Sequence, residues 1–284
     1  MNTPARRIAS KPKLLALHGR GSNSDVTRLQ INNLGLLESD YEIHYLNGPI
    51  TSGRPGPGVE SLEGLGSGPW YSWLPENLNE NPPHNEKILA DAICAAVEHV
   101  LSVLESHGPF DGIYGFSQGG VIAGLVNNLL LDDSLLSLLR NRLNQPISPS
   151  IQEGLPFRAV VIACAGSAIP LPELRTRAGL GAAPSAASLH SSIIHLIGIE
   201  DEYKSWSESL AATLNSTSTD VFYLSGGHEI NRQRHDGEVC KAVRQCLNGD
   251  PDSGGAPRAG REELDRRLGV VVELEAVRAV VADA

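Results

Sequence analysis

Phe110-Asp-Gly-Ile-Tyr-Gly-Phe-Ser-Gln-Gly-Gly120 decides how this chain is read. Gly115 to Gly119 is a complete G-x-S-x-G with Ser117 at its centre. A strand-like run, Gly112-Ile113-Tyr114, leads in, and an apolar, helix-compatible run, Val121 to Val126, leads out. That order predicts a nucleophile elbow, a strand-to-helix turn so tight that the serine takes a strained backbone angle. Side chains two residues either side would collide, which accounts for Gly115 and Gly119. The serine hydroxyl then projects beside a helix N-terminus, where the positive end of the dipole favours a developing anion.

Working outward, the apolar run Leu14 to Leu17 reads as a strand buried on both faces, followed by His18-Gly19-Arg20-Gly21-Ser22. Val26 to Leu37 reads as a helix capped by Ser24 or Asp25, and Tyr41 to Leu46 as the next strand. Residues 47–83 hold much Gly and Pro and little periodicity, so they read as one long functional loop. Helical spacing returns over Asn85 to Ser106 and stops at Gly108-Pro109. After the elbow helix come a leucine-rich helix over Asp132 to Leu143, strands at Phe157 to Ala163 and Ser192 to Ile197, and a helix running to Leu214. Ser205-Trp-Ser-Glu208 has the capping-box pattern for the start of that helix. A strand over Asp220 to Leu224 and a helix over Val239 to Leu247 close the pattern. Strands alternating with helices predict an α/β fold with a mostly parallel central sheet and helices on both faces.

Residues 1–249 read as one domain, with 1–12 as a flexible N-terminus. Residues 250–260 change composition to Gly, Pro, Asp and Ser and read as a linker. Residues 261–284 read as a C-terminal extension forming one docking helix, although Val270 to Ala276 also alternates as a strand would.

The chain has 284 residues, 41% of them hydrophobic, and a net charge of −10. The acidic balance argues against nucleic acid and anionic membrane surfaces as partners. Four cysteines, Cys94, Cys164, Cys240 and Cys246, form no C-x-x-C and read as free thiols in a reducing compartment. Residues 1–13 lack the apolar core of a signal peptide, and no apolar run approaches the ~20 residues needed to span a bilayer. The expected location is cytoplasmic.

A serine hydroxyl needs a base to take its proton and a third group to orient that base. Folds built on this elbow place them in the chain order serine, acid, histidine. Glu200, Asp201 and Glu202 follow the strand ending at Ile197 and are the acid candidates; in the residues alone they stay open alternatives. His228, in Ser225-Gly-Gly-His-Glu229, is the one histidine of nine that combines the right order, a glycine turn and a strand end. Two backbone amides form the expected oxyanion hole, Gln118 after the nucleophile and Arg20 in the early glycine loop. His228-Glu229 begins like H-E-x-x-H, but position 232 is Arg232, and no thiol cluster has zinc spacing, so no metal and no cofactor are expected. Trp70, Tyr71 and Trp73 crowd the long loop, where they pin it to the body, line an acyl pocket as substrate-binding residues, or do both. Trp206 reads as a packing residue at a helix start.

Taken together these segments resemble the fungal and animal "family of serine hydrolases" within the α/β-hydrolase superfamily. The matching runs are Leu15-Ala-Leu-His-Gly19, Gly108-Pro-Phe-Asp-Gly-Ile-Tyr-Gly-Phe-Ser-Gln-Gly119, Phe157-Arg-Ala-Val-Val161, Gly198-Ile-Glu-Asp201 and Gly226-Gly-His228. The resemblance implies the α/β-hydrolase fold, with Ser117 as nucleophile, Asp201 as acid and His228 as base. Gly68-Pro-Trp-Tyr-Ser-Trp-Leu74 and Leu29-Gln30 are similar to fungal members that release polyketide chains as free-standing thioesterases. That implies an acyl substrate, small or carrier-bound, and a polyketide synthase or carrier protein as partner. The Gly/Pro run from Gly48 to Gly68 and the tail after Asp250 depart from the pattern. The expected activity is cleavage of an ester or thioester through a Ser117 acyl-enzyme. The alternatives are acyl transfer from the same intermediate and ligand binding on a scaffold without turnover.

Overall fold

The computed structural model describes residues 11–59, 68–75, 86–130, 157–166, 191–214, 219–230 and 236–248. Six parallel strands form the central sheet: β1 (Lys13–Leu17), β2 (Glu42–Leu46), β5 (Gly112–Phe116), β6 (Ala159–Ala163), β7 (Ser192–Gly198) and β8 (Thr219–Leu224). Their spatial order is β2-β1-β5-β6-β7-β8. The chain runs outward from β1 to β2 and then returns to the other side of β1 at β5. That reversal opens a crevice at the carboxyl ends of β1 and β5, the place where α/β sheets bind ligands.

Alternate strand residues face opposite layers. Leu15, Leu17, Ile113, Val160, Ile162 and Ile193 pack with α2 (Glu86–His107), α3 (Gln118–Leu130) and α4 (Lys204–Thr213). Leu14, Ala16, Tyr114, Val161, Ile194 and Leu196 pack with α1 (Ser24–Asn33) and α5 (Asp236–Asn248) on the other side. The central strands are apolar throughout because both of their faces are covered. This is the parallel sheet with helices on both faces that the alternating pattern predicts, and the α/β-hydrolase fold that the resemblance implies. No helix among the described residues is long and apolar enough to cross a membrane.

Four local readings change. The cap of α1 is Asn23 and not Ser24 or Asp25: its side-chain oxygen accepts from the Asp25 and Val26 amides at 3.1 Å each. That helix ends at Asn33, because Gly35 takes φ +74° and turns the chain away. Within 47–83, β3 (Ile50–Ser52) and β4 (Trp70–Ser72) pair as a two-stranded antiparallel ribbon, too short to show a period of two in the sequence. The capping box at Ser205 does not form. Helix α4 starts at Lys204 with Tyr203 before it and no side-chain cap. Glu208 instead accepts from the Tyr223 hydroxyl at 3.1 Å and lies 4.0 Å from the Lys204 amine. The helix read at Asp132 to Leu143, the N-terminal ten residues, the linker at 250–260 and the extension at 261–284 lie outside the described residues.

Candidate active site

Ser117 is the one residue between β5 and α3, and it holds φ +51°. A non-glycine residue stays at a positive φ only where its surroundings over-determine it. Here the Ser117 amide donates to Ala163 of β6 at 2.9 Å, and its carbonyl accepts from the Gly120 and Val121 amides. The flanking glycines have no room for a side chain: a Cβ on Gly115 would stand 2.4 Å from the Gly119 oxygen, and one on Gly119 would stand 2.4 Å from the His18 oxygen.

Asp201 and His228 come from two loops laced together at the ends of β7 and β8. The Ile199 amide donates to Leu224 at 2.9 Å, and the Glu200 amide donates to Gly226 at 2.9 Å. Gly226 takes φ +107° to make this turn. The lacing aims both side chains at the serine. His228 Nδ1 lies 2.9 Å from Asp201 Oδ2, and His228 Nε2 lies 3.0 Å from Ser117 Oγ. With an ionised carboxylate at one end, Nδ1 carries the proton and Nε2 is left to accept from the serine hydroxyl. Of the three acid candidates, the geometry joins Asp201 alone to the imidazole; Glu200 and Glu202 are exposed.

Burial pushes the Asp201 carboxyl up. The hydrogen bond and charge of His228 more than offset this, with help from the Tyr203 amide at 2.8 Å and the Cys164 thiol, so the carboxyl sits below its ordinary value. Cys164 directly follows β6 and holds φ +46°. Burial first, then the neighbouring Asp201 charge, push its thiol up to about 12. It stays protonated, with the Asp201 carboxylate and, at 4.0 Å, the Glu229 oxygen as acceptors. Phe116 and Tyr203 flank the imidazole, each with its ring centre 5.1 Å away.

Ser117 opens onto a cleft of about 460 Å³ walled by Arg20, Val59, Cys164, Tyr203, Trp206 and His228. Gly19 approaches so closely that an added Cβ would stand 3.3 Å from Ser117 Cβ. The 19–21 loop is fixed from outside: the Gly21 amide donates to the Ser72 hydroxyl at 3.0 Å, and the Gly56 amide donates to the Gly21 oxygen at 2.8 Å. Gln118 is the first residue of α3, so its amide has no acceptor within the helix. Arg20 and Gln118 therefore stand on the two segments that border the nucleophile.

Trp70, Tyr71 and Trp73 are not among the walls of this cleft. Tyr71 pairs with Ser22 through both backbone groups, and the ribbon turns Trp73 inward, where it is fully buried. The described contacts of Tyr71 and Trp73 are those of the anchoring reading. Trp206, read as packing only, does wall the cleft. Its ring stacks on Tyr203 with centres 5.0 Å apart, and Gly166 leaves it space: a Cβ there would lie 2.4 Å from Trp206 Cβ. Two supports were missed in the sequence. The Gln118 side chain accepts from the Trp73 and Leu74 amides at 3.2 and 3.3 Å. His18 is buried, accepts from the Gly48 amide at Nε2 (2.8 Å) and meets the Gly19 oxygen at Nδ1. Burial holds it neutral, with a pKa of about 4. Only the G-x-S-x-G context and the 18–21 glycine loop hinted at either. No group of three or more His, Cys, Asp or Glu side chains able to hold a metal occurs among the described residues.

Fold and site together define an α/β-hydrolase with a serine–histidine–aspartate array. The chain belongs to the family described as "Serine hydrolase (FSH1)", which it matches over residues 8–238. It is 27% identical over 225 residues to "Esterase FUS5" of Gibberella moniliformis, spanning 78% of this chain and 81% of that one. It is 36% identical over 116 residues to "Hydrolase phiM" of Talaromyces stipitatus, spanning 38% and 41%. Among solved structures, esterase PE8 superposes with a TM-score of 0.51 at 16% identity, covering 83% of this chain and 93% of that one. A variant of Arabidopsis thaliana SOBER1 gives 0.51 at 13%, covering 84% and 100%. The structural likenesses speak to the fold alone.

Proposed function

We propose that this serine hydrolase is an esterase or thioesterase that works through an acyl-enzyme on Ser117. The observation that carries the proposal is the continuous array from Asp201 through His228 to Ser117, with contacts of 2.9 and 3.0 Å, opening onto a cleft beside two candidate oxyanion donors. As Ser117 Oγ bonds to the acyl carbon, its proton passes to His228 Nε2, and Asp201 steadies the resulting imidazolium. The Arg20 and Gln118 amides stabilise the oxyanion. His228 then gives the proton to the departing oxygen or sulfur as its bond to carbon breaks. A water deprotonated by the same nitrogen releases the acid. The residues in hand complete this cycle without a cofactor.

The natural substrate in this reading is an acyl chain of polyketide type, presented as an ester or on a carrier thiol. Its support is the likeness to fungal proteins named as esterases. The test is covalent labelling by a fluorophosphonate together with hydrolysis of acyl esters and thioesters of graded chain length. Labelling at Ser117 that disappears in Ser117→Ala, with turnover lost in parallel, is the expected result. Turnover that survives in Ser117→Ala overturns the assignment.

A further inference from the structure

A second groove lies against α1 and adjoins the acyl cleft at His228. The two spaces share Pro57, Val59, Phe116 and His228 as walls, so they meet at the imidazole. The floor of the groove is one face of α1, with Leu29, Gln30 and Asn33, and Ile230 closes its end. Leu29 is a large apolar side chain left 39% exposed there. Gln30 Oε1 is buried in this wall and has no hydrogen-bond partner among the described residues. A buried acceptor without a partner is uncommon in folded proteins and calls for an explanation. Asn33 is already committed, donating to the Ile230 carbonyl at 2.9 Å.

We infer that this groove receives the leaving group, and that its occupant is a neutral, elongated arm carrying an amide N–H. The inference rests on the acyl-enzyme reading above and deepens it. The departing atom takes its proton from His228 Nε2, so the leaving arm starts against the imidazole. The acyl carbon sits over Ser117 with its oxygen toward Arg20 and Gln118, which commits the first cleft to the acyl half. The space that adjoins this cleft at His228 is the α1 groove. Its apolar side chains suit a chain of methylenes, and Gln30 Oε1 suits one N–H donor along it. Among the described residues the groove's walls include no Lys or Arg, and the exposed Glu229 stands at its side, so an anionic arm is disfavoured.

The test compares two thioesters with the same hexanoyl group, one of ethanethiol and one of pantetheine. The wild-type enzyme is expected to favour the pantetheine thioester in kcat/KM by about tenfold, the scale of one well-made hydrogen bond plus apolar contact. Gln30→Leu removes the acceptor and should shrink that preference to roughly threefold or less. Leu29→Trp fills the groove and should abolish the preference. It should leave the ratio between butanoyl and octanoyl S-ethyl thioesters as in wild type, because the acyl half lies elsewhere. Equal kcat/KM for the two thioesters in wild type, or a preference that survives both substitutions, overturns the inference while leaving Ser117 chemistry intact. A shifted butanoyl-to-octanoyl ratio in Leu29→Trp overturns it too, by making the groove an acyl site. Failure of wild type to cleave either thioester, with Ser117 unlabelled by fluorophosphonate, removes both the inference and the reading it rests on.

Discussion

The indole N–H of Trp73 donates to the carbonyl oxygen of His18 across 2.8 Å. This bond ties the β3–β4 ribbon to the base of the loop that carries Arg20. Gln118 grips the same ribbon from the other side through the Trp73 and Leu74 amides. The two segments that supply the candidate oxyanion donors are thus fastened to one common brace. An oxyanion hole depends on donors fixed before charge develops, because reorganising them during reaction would cancel the gain.

Gly56→Ala tests that brace. Its Cβ would stand 2.0 Å from the Arg20 carbonyl oxygen, which is backbone and has nowhere to swing. The 19–21 loop must shift, and kcat should fall about 100-fold, the scale of one lost oxyanion donor. KM should change little. Steady-state kinetics on one soluble ester is sufficient, and an unchanged kcat would remove Arg20 from the oxyanion hole.

Asp201→Asn should lower kcat by about three to four orders of magnitude while the thermal midpoint stays close to wild type, since an amide cannot hold the imidazole in the required tautomer. Glu200→Gln should stay within about twofold of wild type, because Glu200 is exposed and makes its loop contact through its backbone amide. The reverse outcome would transfer the acid role to Glu200.

Cys164 is predicted to be a positioning residue for Asp201. Cys164→Ala removes a donor to the buried carboxylate and should lower kcat by roughly three- to tenfold. Cys164→Ser keeps a donor and should recover most of it. With its thiol pushed up to about 12 by burial, Cys164 should also resist iodoacetamide in the folded enzyme and react only after denaturation. Peptide mass spectrometry of the labelled protein reads this directly, and rapid native labelling of Cys164 would contradict it.

Acid should destabilise the fold through His18 and His195. Burial lowers His18 from 6.5 to about 4, against a smaller raising effect of the Gly19 carbonyl. Burial lowers His195 from 6.5 to about 3. Between pH 6.5 and these values the unfolded chain binds protons that the folded chain does not, so stability rises with pH there and levels off above 6.5. Each histidine should cost roughly 2 kcal/mol between pH 7 and pH 5, at about 1.36 kcal/mol per pKa unit. Asp201 acts lower: its depressed carboxyl contributes stability above 3.8 that is lost as pH falls through its folded value. Urea unfolding at pH 7 and pH 5 measures the difference, and His18→Gln should reduce it by about half. A stability that stays constant across this range would contradict the burial of neutral imidazoles.

Much of the fold was legible because its strands are buried on both faces. Leu14 to Leu17 and Ala159 to Ala163 are continuous apolar runs, and such runs leave little choice of environment. The ribbon Ile50–Ser52 with Trp70–Ser72 was not legible, since three-residue strands carry no period and their partners lie far apart in the chain. The cap at Asn23 was misplaced by one or two residues because Asn23, Ser24 and Asp25 are all competent caps, and the choice rests on where the preceding loop delivers the backbone. The place of Trp206 in the cleft wall was not legible for a related reason. Composition shows that an aromatic is present, and only packing shows which way it points.

The sequence by itself determined the local chemistry: the serine on its tight turn, a histidine behind two glycines at a strand end, and the order in which they occur. Those are properties of neighbouring residues and their steric limits. Tertiary structure decided the rest. It selected Asp201 over Glu200 and Glu202, since only lacing of the β7 and β8 loops sets one carboxylate 2.9 Å from the imidazole. It set Cys164 beside that carboxylate and joined two clefts at one histidine. Contacts between residues on different strands follow from how the strands order themselves in the sheet, and no local pattern records that order.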